Sequence, residues 1–551
     1  MNHWIIVPVL LPALIAPLIG FVMRHDLSLA RVTSVVGAVG VLAVSLGLVV
    51  LAAGGETHVY RLGNWPAPFG IVLVLDRLSA LMLLLTAVLA LVVLLHVIAT
   101  GWDARGRHFH ALYQFQLMGI TGAFLTGDAF NLFVFFEILL IASYGLMIHG
   151  GGRVRVKAGL QYVVMNLAGS TLFLFALATI YATTGTLNIA DLALKVREIA
   201  PEDAALIRVA GVLLLLVFAV KAALVPVQFW LPATYSNAPA PVAALFAIMT
   251  KVGAYSIIRI HTIAFGPDMP AMGTLIADWM MPAAIVTLAI GALGVLGARR
   301  LMPLLSFAVI GSMGTLMMAV AVFTPEAVLA SLYYLVHSTL AAALLFLLAD
   351  LVVSRRPGGD WLIPEAPVVS NGLLAALFFA GAIAMAGMPP LSGFLGKLLV
   401  LDVLRDGAVM PWAWTAILAG SLLIILGFVR AGSTIFWKST AMQPALAGAG
   451  GPAGGDMNVD PATPEARAPG AMELAPSFVL LALLAALTLA AGPIAQYLEA
   501  TAAQIFAFDG YIRAVLPEVM LDPGLIDAAP DAAPDATADT GPDADSPAEE
   551  E

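Results

Sequence analysis

Long apolar stretches alternate with short polar connections along most of the chain. About fourteen of these stretches contain roughly 19 or more mostly apolar residues, the length an α-helix needs to cross a hydrocarbon core of about 30 Å. They are predicted at 4–22, 33–53, 78–99, 111–127, 129–148, 158–183, 206–230, 238–262, 272–297, 301–322, 325–352, 371–402, 410–436 and 474–498. The pattern predicts an all-α polytopic membrane protein.

Composition agrees with this class of protein. Of 551 residues, 61% are hydrophobic and only 11% are charged, and the mean hydropathy is +0.98, whereas soluble domains are about 25% charged. The first stretch begins at Trp4 with no basic region before it and reaches Met23 without a small-residue cleavage site. We therefore expect it to be a retained span and not a signal peptide.

Lysine and arginine are distributed unevenly among the connections. Numbered in chain order, the odd connections hold 14 of the 25 basic residues, and the even connections with the C-terminal tail hold 8. Basic residues are enriched in cytoplasmic connections of membrane proteins. The odd connections are therefore predicted to be cytoplasmic, which places both termini in the periplasm of a bacterium and the chain in the inner membrane.

Several classes of cofactor are excluded by composition. The chain contains no cysteine, so it has no disulfide, thiolate zinc site or cysteine-ligated iron–sulfur cluster. The histidines show no metal-ligand spacing, and the glycine pairs lack the strand and helix that a nucleotide-binding motif requires. We expect no cofactor, no metal and no nucleic-acid partner.

Two segments differ in composition from the spans. Residues 438–473 form a long polar connection that we expect to be a flexible loop. Nine acidic and no basic residues lie between Asp527 and Glu551, within an Ala/Asp/Pro sequence of low complexity. Such a sequence cannot bury a core, so the acidic tail is predicted to be disordered from about residue 524.

Four charged residues lie deep inside predicted spans: Glu137, Lys221, Lys251 and Lys397. One such residue at the centre of a bilayer costs roughly 2.5–3.5 kcal/mol, so it normally faces a protein interior or water. A desolvated lysine can exchange protons near neutral pH, whereas an arginine cannot. These positions predict an ion or proton path, to which His337, in the middle of another span, is a candidate relay.

Helix breakers lie beside two of these lysines. Pro226 follows Lys221, and the run from Gly387 to Pro390 precedes Lys397. Proline removes a backbone hydrogen bond and clashes with the preceding turn, so both helices are predicted to break. Freed backbone groups at membrane depth need protein or water, so these breaks are expected to line a hydrated cavity.

Each polar residue also has a structural interpretation. Glu137 could be capped by the hydroxyl of Ser143 or Tyr144, and His337 could be a satisfied packing residue. Lysines can extend their ammonium groups to the membrane surface, although only from near a helix end. Three acidic residues near span ends are interpreted as solvated: Asp76, Asp128 and Asp350.

Three segments together resemble the antiporter-like membrane subunits shared by respiratory complex I and the Mrp (Pha, Mnh) cation/proton antiporters, and most of all the D-type subunits of the Mrp group. They are GDAFNLFVFFEILLIASYGLMIHGG around Glu137, KAALVPVQFWLPATYSNAPAPVAALFAIMTKVGAYSIIR with Lys221 and Lys251, and GMPPLSGFLGKLLVL with Lys397. The likeness covers roughly residues 70–440. Two positions depart from complex I relatives: Gln228 replaces a frequent histidine, and Lys397 replaces a glutamate of one relative.

The resemblance implies a fourteen-helix fold with two inverted five-helix repeats and broken helices 7 and 12. Its parts are helices 1–3 in 1–110, a first half-channel repeat in 111–262 (helices 4–8), a second in 272–437 (helices 9–13), the loop 438–473, helix 14 in 474–498 and the tail 499–551. It also implies roles for single residues. Glu137 and Lys221 are the charge pair of the first half-channel, Lys251 and His337 are central relays, and Lys397 is the terminal proton site.

The function implied is that of a proton-translocating subunit of a multisubunit Na⁺, Li⁺ or K⁺/proton antiporter. Its expected partners are the other Mrp subunits (A or fused A/B, B, C, E, F and G), protons, monovalent cations and the lipid bilayer. One alternative is a proton-pumping subunit of complex I (NADH-quinone oxidoreductase) or of a membrane-bound hydrogenase. Another is a single-chain carrier with its own substrate pocket.

Overall fold

A computed structural model describes residues 2–438 and 467–516, and these are mostly helical. The helices up to residue 264 are α1 (Val7–Pro17), α2 (Leu27–Ala52), α3 (Arg77–Thr100), α4 (Phe109–Leu125), α5 (Ala129–Met147), α6 (Arg153–Thr184), α7 (Ile189–Arg197), α8 (Ala205–Ala222), α9 (Trp230–Asn237), α10 (Ala240–Phe246), α11 (Met249–Ser256) and α12 (Thr262–Ala264). The later helices are α13 (Leu275–Gly297), α14 (Leu301–Val320), α15 (Pro325–Val353), α16 (Asn371–Ala386), α17 (Ser392–Val403), α18 (Met410–Gly432), α19 (Ala471–Leu489), α20 (Ala491–Phe506) and α21 (Phe508–Val515).

One antiparallel hairpin joins α2 to α3. Its strands are β1 (His58–Arg61) and β2 (Val72–Leu75), with His58 opposite Leu75 and Arg61 opposite Val72. Immediately after β2, Asp76 caps α3 by accepting a hydrogen bond from the Ser79 amide. The hairpin therefore fixes the start of a buried helix.

The all-α membrane class predicted from the apolar pattern is confirmed. Within the described residues, 11 helices are long and apolar enough to cross a membrane, and Val7–Val22 and Asn371–Ala386 are shorter apolar helices. The predicted count of fourteen, the inverted repeats and the division into parts stay predictions. The acidic tail from about residue 524 and most of the loop 438–473 lie outside the described residues.

Both predicted helix breaks are present. α8 ends at Ala222, directly after Lys221, and Ala223 adopts a left-handed conformation with φ 54°. α16 ends at Ala386, Gly387 follows with φ 76°, and the chain becomes helical again at Ser392, before Lys397. Each lysine therefore lies within two turns of a helix interruption.

A third interruption was not apparent from proline or glycine. α10 ends at Phe246 and α11 begins at Met249, two residues before Lys251. The same apolar segment then continues as a π-helix over Ile257–His261. All three buried lysines thus lie beside irregular backbone.

Burial separates central helices from peripheral ones. The apolar window of Ala240–Ala264 is 100% buried, and those of α14 and α15 are each 89% buried. By contrast, the windows of α2, α6 and α18 are each only 33% buried. The most buried helices therefore include those that carry Lys251 and His337.

The interpretation of two acidic residues as solvated is wrong. Asp76 is 3% exposed and forms a bidentate ion pair with Arg259, with Nη1–Oδ2 2.5 Å and Nη2–Oδ1 2.7 Å. Asp350 is 6% exposed and hydrogen-bonds to His96 and Trp102. Sequence position near a span end did not reveal these partners, because they come from distant helices. Asp128 caps α5 through the Asn131 amide, at 2.7 Å.

Candidate functional site

Glu137 lies in the middle of α5, at its contact with α6. Its carboxylate accepts a hydrogen bond from the Ser170 hydroxyl of α6. Ser143, one of the two expected caps, bonds elsewhere: its hydroxyl donates to the Leu140 carbonyl, at 2.7 Å, and lies 3.0 Å from the Tyr162 hydroxyl. Glu137 is only partly buried, so it lies at the edge of the described bundle.

Lys221 is the penultimate residue of α8 and is 7% exposed. Its ammonium donates to Asn166 Oδ1 of α6 at 2.7 Å. The same group lies 5.7 Å from the centre of the Phe136 ring, a residue next to Glu137. A ring face within about 6 Å attracts a cation, so Lys221 is held by an amide and an aromatic face.

The charge pair inferred from the resemblance is not a direct ion pair. Among the described residues, no nitrogen–oxygen contact within 4 Å joins Lys221 and Glu137. Both are instead bound to α6, at Asn166 and Ser170, which are one helical turn apart. The structure brings the two charged residues together through a third helix.

A small cavity adjoins Lys221. It is lined by Lys221 and Asn166, by Trp230 of α9, and by Met249 and Val252 of α11. α11 approaches α8 closely, because a Cβ atom added at Gly253 would lie 3.0 Å from the Lys221 Cβ. The cavity therefore connects Lys221 to the helix of Lys251.

Lys251 lies in the most buried part of the bundle. The residue is fully buried, and no described residue hydrogen-bonds to its Nζ atom. A buried ammonium without a hydrogen-bond partner is expensive. A lysine in that environment can accept a proton and give it up again.

His337 lies on α15. Its Nδ1 atom is 2.9 Å from the Ser392 hydroxyl, at the start of α17. A Cβ atom added at Gly393 of α17 would lie 2.8 Å from the His337 Nε2 atom. The imidazole thus packs against the start of α17, the helix that carries Lys397.

Lys397 lies on α17, just past the second break. Its ammonium donates to the Ala386 carbonyl at 2.8 Å and to the Ser421 hydroxyl of α18 at 2.7 Å. It is 7% exposed. The alternative in which Lys397 extends to a membrane surface is not what the structure shows, since its ammonium is bound inside the bundle.

The described contacts link the five predicted site residues in two groups. Glu137 and Lys221 both bind α6, and a cavity joins Lys221 to the helix of Lys251. His337 contacts Ser392 of α17, the helix that carries Lys397. Carboxyl, amine and imidazole groups can each bind and release one proton. Within residues 2–438 and 467–516, no group of three or more acidic or histidine side chains could hold a metal ion.

Sequence reasoning missed three polar residues of this region. Asn166 and Ser170 are uncharged residues of an apolar span. The available signal was their spacing of four residues, which places both on one face of a helix. His96 is fully buried on α3, 3.0 Å from Asp350. Its position near the end of an apolar run gave no indication of a partner 254 residues away.

Fold and site together define a multi-pass helical membrane protein in which three buried lysines lie beside interrupted helices. The family model for the transmembrane region of NADH:quinone oxidoreductase/Mrp antiporter proteins matches residues 126–427. The matched region contains all five predicted site residues. The chain belongs to the NADH:quinone oxidoreductase/Mrp antiporter family.

Similar proteins extend this likeness to nearly the whole chain. The D-type component of a probable K⁺/H⁺ antiporter of Rhizobium meliloti is 38% identical, over 92% of this chain and 96% of the relative. The D-type component of a Na⁺/H⁺ antiporter of Bacillus subtilis is 36% identical, over 94% of this chain and 100% of the relative. A chain of the Mrp complex from Dietzia sp. DQ12-45-1b superimposes with a TM-score of 0.82 at 30% identity, covering 94% of this chain and 100% of that chain.

Proposed function

We propose that this chain is the D-type component of a multisubunit monovalent cation/proton antiporter and that it moves protons across a bacterial inner membrane. The observation that carries the proposal is the placement of Glu137, Lys221, Lys251, His337 and Lys397 in apolar helices, with the three lysines and His337 buried. Relatives named as D-type components of Na⁺/H⁺ and K⁺/H⁺ antiporters support it at 36% and 38% identity.

The proposed path has two ends and a centre. Glu137 and Lys221 receive or release a proton at the first broken helix, Lys251 and His337 pass it through the most buried helices, and Lys397 exchanges it at the second break. A lysine amine takes the proton on Nζ, and imidazole takes it on one nitrogen while releasing it from the other. The chain itself has the role of a transporter component and not of an enzyme.

Partners and orientation complete the proposal. The chain acts with the other antiporter subunits, and exchange for Na⁺, Li⁺ or K⁺ requires them. The excess of basic residues in the odd connections supports a cytoplasmic location for those connections and a periplasmic location for both termini.

The rival function is that of a proton-pumping subunit in a redox-driven complex. The family model covers both classes, so the same five residues could operate in either. The two classes of complex differ in the other subunits that they contain. A redox-driven complex needs subunits that bind electron carriers, because this chain has no cysteine thiolate to ligate an iron–sulfur cluster.

A direct experiment expresses the chain with and without the subunits encoded beside it, in a host that lacks its own antiporters. Proton movement on addition of NaCl or KCl is then measured in everted vesicles. Cation-dependent proton release with the full set, and none with the chain alone, is the expected result. Exchange by the chain alone would contradict the multisubunit proposal.

A further inference from the structure

One face of α6 carries two polar side chains toward the first charged residues of the path. Asn166 is 1% exposed and Ser170 is 8% exposed. Asn166 Oδ1 accepts from Lys221 Nζ at 2.7 Å, and the Ser170 hydroxyl donates to Glu137. Asn166 and Ser170 therefore bind the Lys221 ammonium and the Glu137 carboxylate separately, and the two charged groups do not contact each other.

The Asn166 amide is fixed from its other side. Its Nδ2 atom donates to the Tyr162 carbonyl at 2.8 Å. A flipped amide would place its NH₂ group against the Lys221 ammonium and its oxygen against a carbonyl oxygen, which are two mismatched contacts. The hydrogen-bond network therefore orients the amide oxygen toward Lys221.

Asn166 and Ser170 can each stay hydrogen-bonded when Lys221 or Glu137 gains or loses a proton. An amide oxygen accepts from N–H groups, and lysine carries them as an ammonium and as a neutral amine. A serine hydroxyl donates to a carboxylate and can accept from a carboxylic acid. A direct ion pair, in contrast, would favour the charged forms of both residues.

We propose that Asn166 and Ser170 are positioning residues of proton transfer, which hold Lys221 and Glu137 in place while keeping them out of a direct ion pair. Asn166 fixes Lys221 at the cavity that it shares with α11, and Ser170 fixes Glu137 one turn further along α6. This inference rests on the proposed function, because it assigns the two residues a part in the same proton path.

The decisive variant is Asn166→Asp, made in the complex with all its subunits. Aspartate has nearly the size of asparagine and keeps an oxygen at Lys221, while its second oxygen replaces the NH₂ group that donates to the Tyr162 carbonyl. As a positioning residue, Asn166 should not be replaceable by a fixed charge, which would favour protonated Lys221. We expect maximal exchange to fall at least about tenfold and the pH of half-maximal exchange to rise by about one unit or more.

Three ionisable groups near Asn166 and Lys221 also contribute to the dependence of exchange on pH. They are Glu137 on α5, Tyr162 on α6 and Lys251 on α11. None of them is changed by Asn166→Asp, so the difference from the wild-type profile reports the new carboxylate. Gln114→Glu is the matched control, since it adds a carboxylate to a buried amide position on α4 that is bonded to Ser34.

Ser170 provides a second, independent pair of variants. Ser170→Ala removes the hydroxyl and should lower exchange about tenfold, whereas Ser170→Thr keeps it and should retain most of the exchange. The control is Ser256→Ala, because Ser256 is fully buried and its hydroxyl bonds to the Val252 carbonyl of its own helix. It should behave like the wild type.

The outcomes separate this inference from the proposed function. An assembled Asn166→Asp complex with the wild-type rate and pH profile would overturn the positioning role. If that variant does not assemble, wild-type exchange by Ser170→Ala would overturn it. Lys221→Ala is the reference: full exchange in that variant would refute the proton path itself, whereas its loss beside an active Asn166→Asp complex would refute the positioning role alone.

Discussion

Lys397 binds the carbonyl of Ala386, the last residue of α16, across the break in the helix, with Nζ 2.8 Å from the oxygen. The last carbonyl groups of a helix have no partner within the helix, and they attract cations. The break thus creates the acceptor that holds the lysine. At membrane depth lipid tails have no N–H group that could donate to the Ala386 carbonyl in place of Lys397.

The first prediction concerns the protonation of Lys397. Lys397→Arg keeps the charge and the ability to donate, but arginine does not release its proton at working pH. We expect a normally assembled complex whose cation-dependent proton flux in everted vesicles is reduced at least about tenfold.

Lys195→Arg is the control for this change. Lys195 lies on α7, and its side chain is 45% exposed and pairs with Glu198. Its flux should equal that of the wild type. A Lys397→Arg complex with wild-type flux would show that Lys397 supplies a charge and not a proton.

The second prediction concerns Gly387, which packs against the stem of Lys397. A Cβ atom at this position would lie 2.6 Å from Lys397 Cδ, and the glycine has φ 76°. Gly387→Ala should therefore displace the lysine as well as strain the backbone, and we expect a clear loss of proton flux.

Gly185→Ala isolates the backbone effect. Gly185 follows α6 with φ 71°, and a Cβ atom there would have no neighbour within 4 Å. Both variants carry the cost of a left-handed alanine, about 1–2 kcal/mol. Equal fluxes in the two variants would contradict a specific role for the contact between Gly387 and Lys397.

Much of this architecture could be predicted from the sequence, because lipid imposes simple rules on length and charge. The apolar run around Glu137 and the prolines beside Lys221 and Lys397 were sufficient to locate a span and two breaks. The break before Lys251 was not predictable in this way, since Ala247 and Ile248 are ordinary helix residues. It depends on tertiary packing, which overrides local propensity.

Partners across the bundle were the least predictable part of the site. Glu137 and Lys221 could be recognised as buried charges, but their distances to Asn166 and Ser170 depend on how α5, α6 and α8 pack. Asp76 was misjudged for the same reason, since its partner Arg259 lies 183 residues away. Sequence position gives depth in the membrane and does not give the neighbour.

The third prediction concerns the carboxylate of Glu137. Glu137→Gln keeps an oxygen that can accept from Ser170 but removes the proton-binding group. Proton flux should fall at least about tenfold across pH 7 to 9. The control is Glu198→Gln, because Glu198 has a half-exposed side chain on the surface. Full flux in an assembled Glu137→Gln complex would remove Glu137 from the path.

The fourth prediction concerns stability outside the membrane-spanning helices. Asp103, in the turn between α3 and α4, binds Arg31 with Oδ2–Nε 2.6 Å and His110 with Oδ2–Nε2 3.0 Å. These contacts lower the pKa of Asp103 to about 2 against the opposing effect of burial. A carboxyl with a lowered pKa stabilises the fold above its unfolded pKa, and this stabilisation is lost as the pH falls toward 2.

Asp103→Asn should therefore lower stability by about 2 kcal/mol near neutral pH. Asp103 itself is ionised well below neutral pH, so the two proteins are compared at one pH of about 8. The thermal midpoint of the purified complex measures it, with the exposed Asp406→Asn as control. An Asp103→Asn midpoint equal to that of the wild type would contradict a stabilising role for the ion pair.

The most direct test of the account is the proton flux of a Lys221→Arg complex, measured in everted vesicles beside the wild type at matched membrane levels. Arginine keeps the positive charge and can still donate to Asn166, but it cannot release its proton at working pH. We predict that the variant assembles and that its cation-dependent flux falls at least about tenfold. Wild-type flux in that complex would mean that protons do not pass through Lys221.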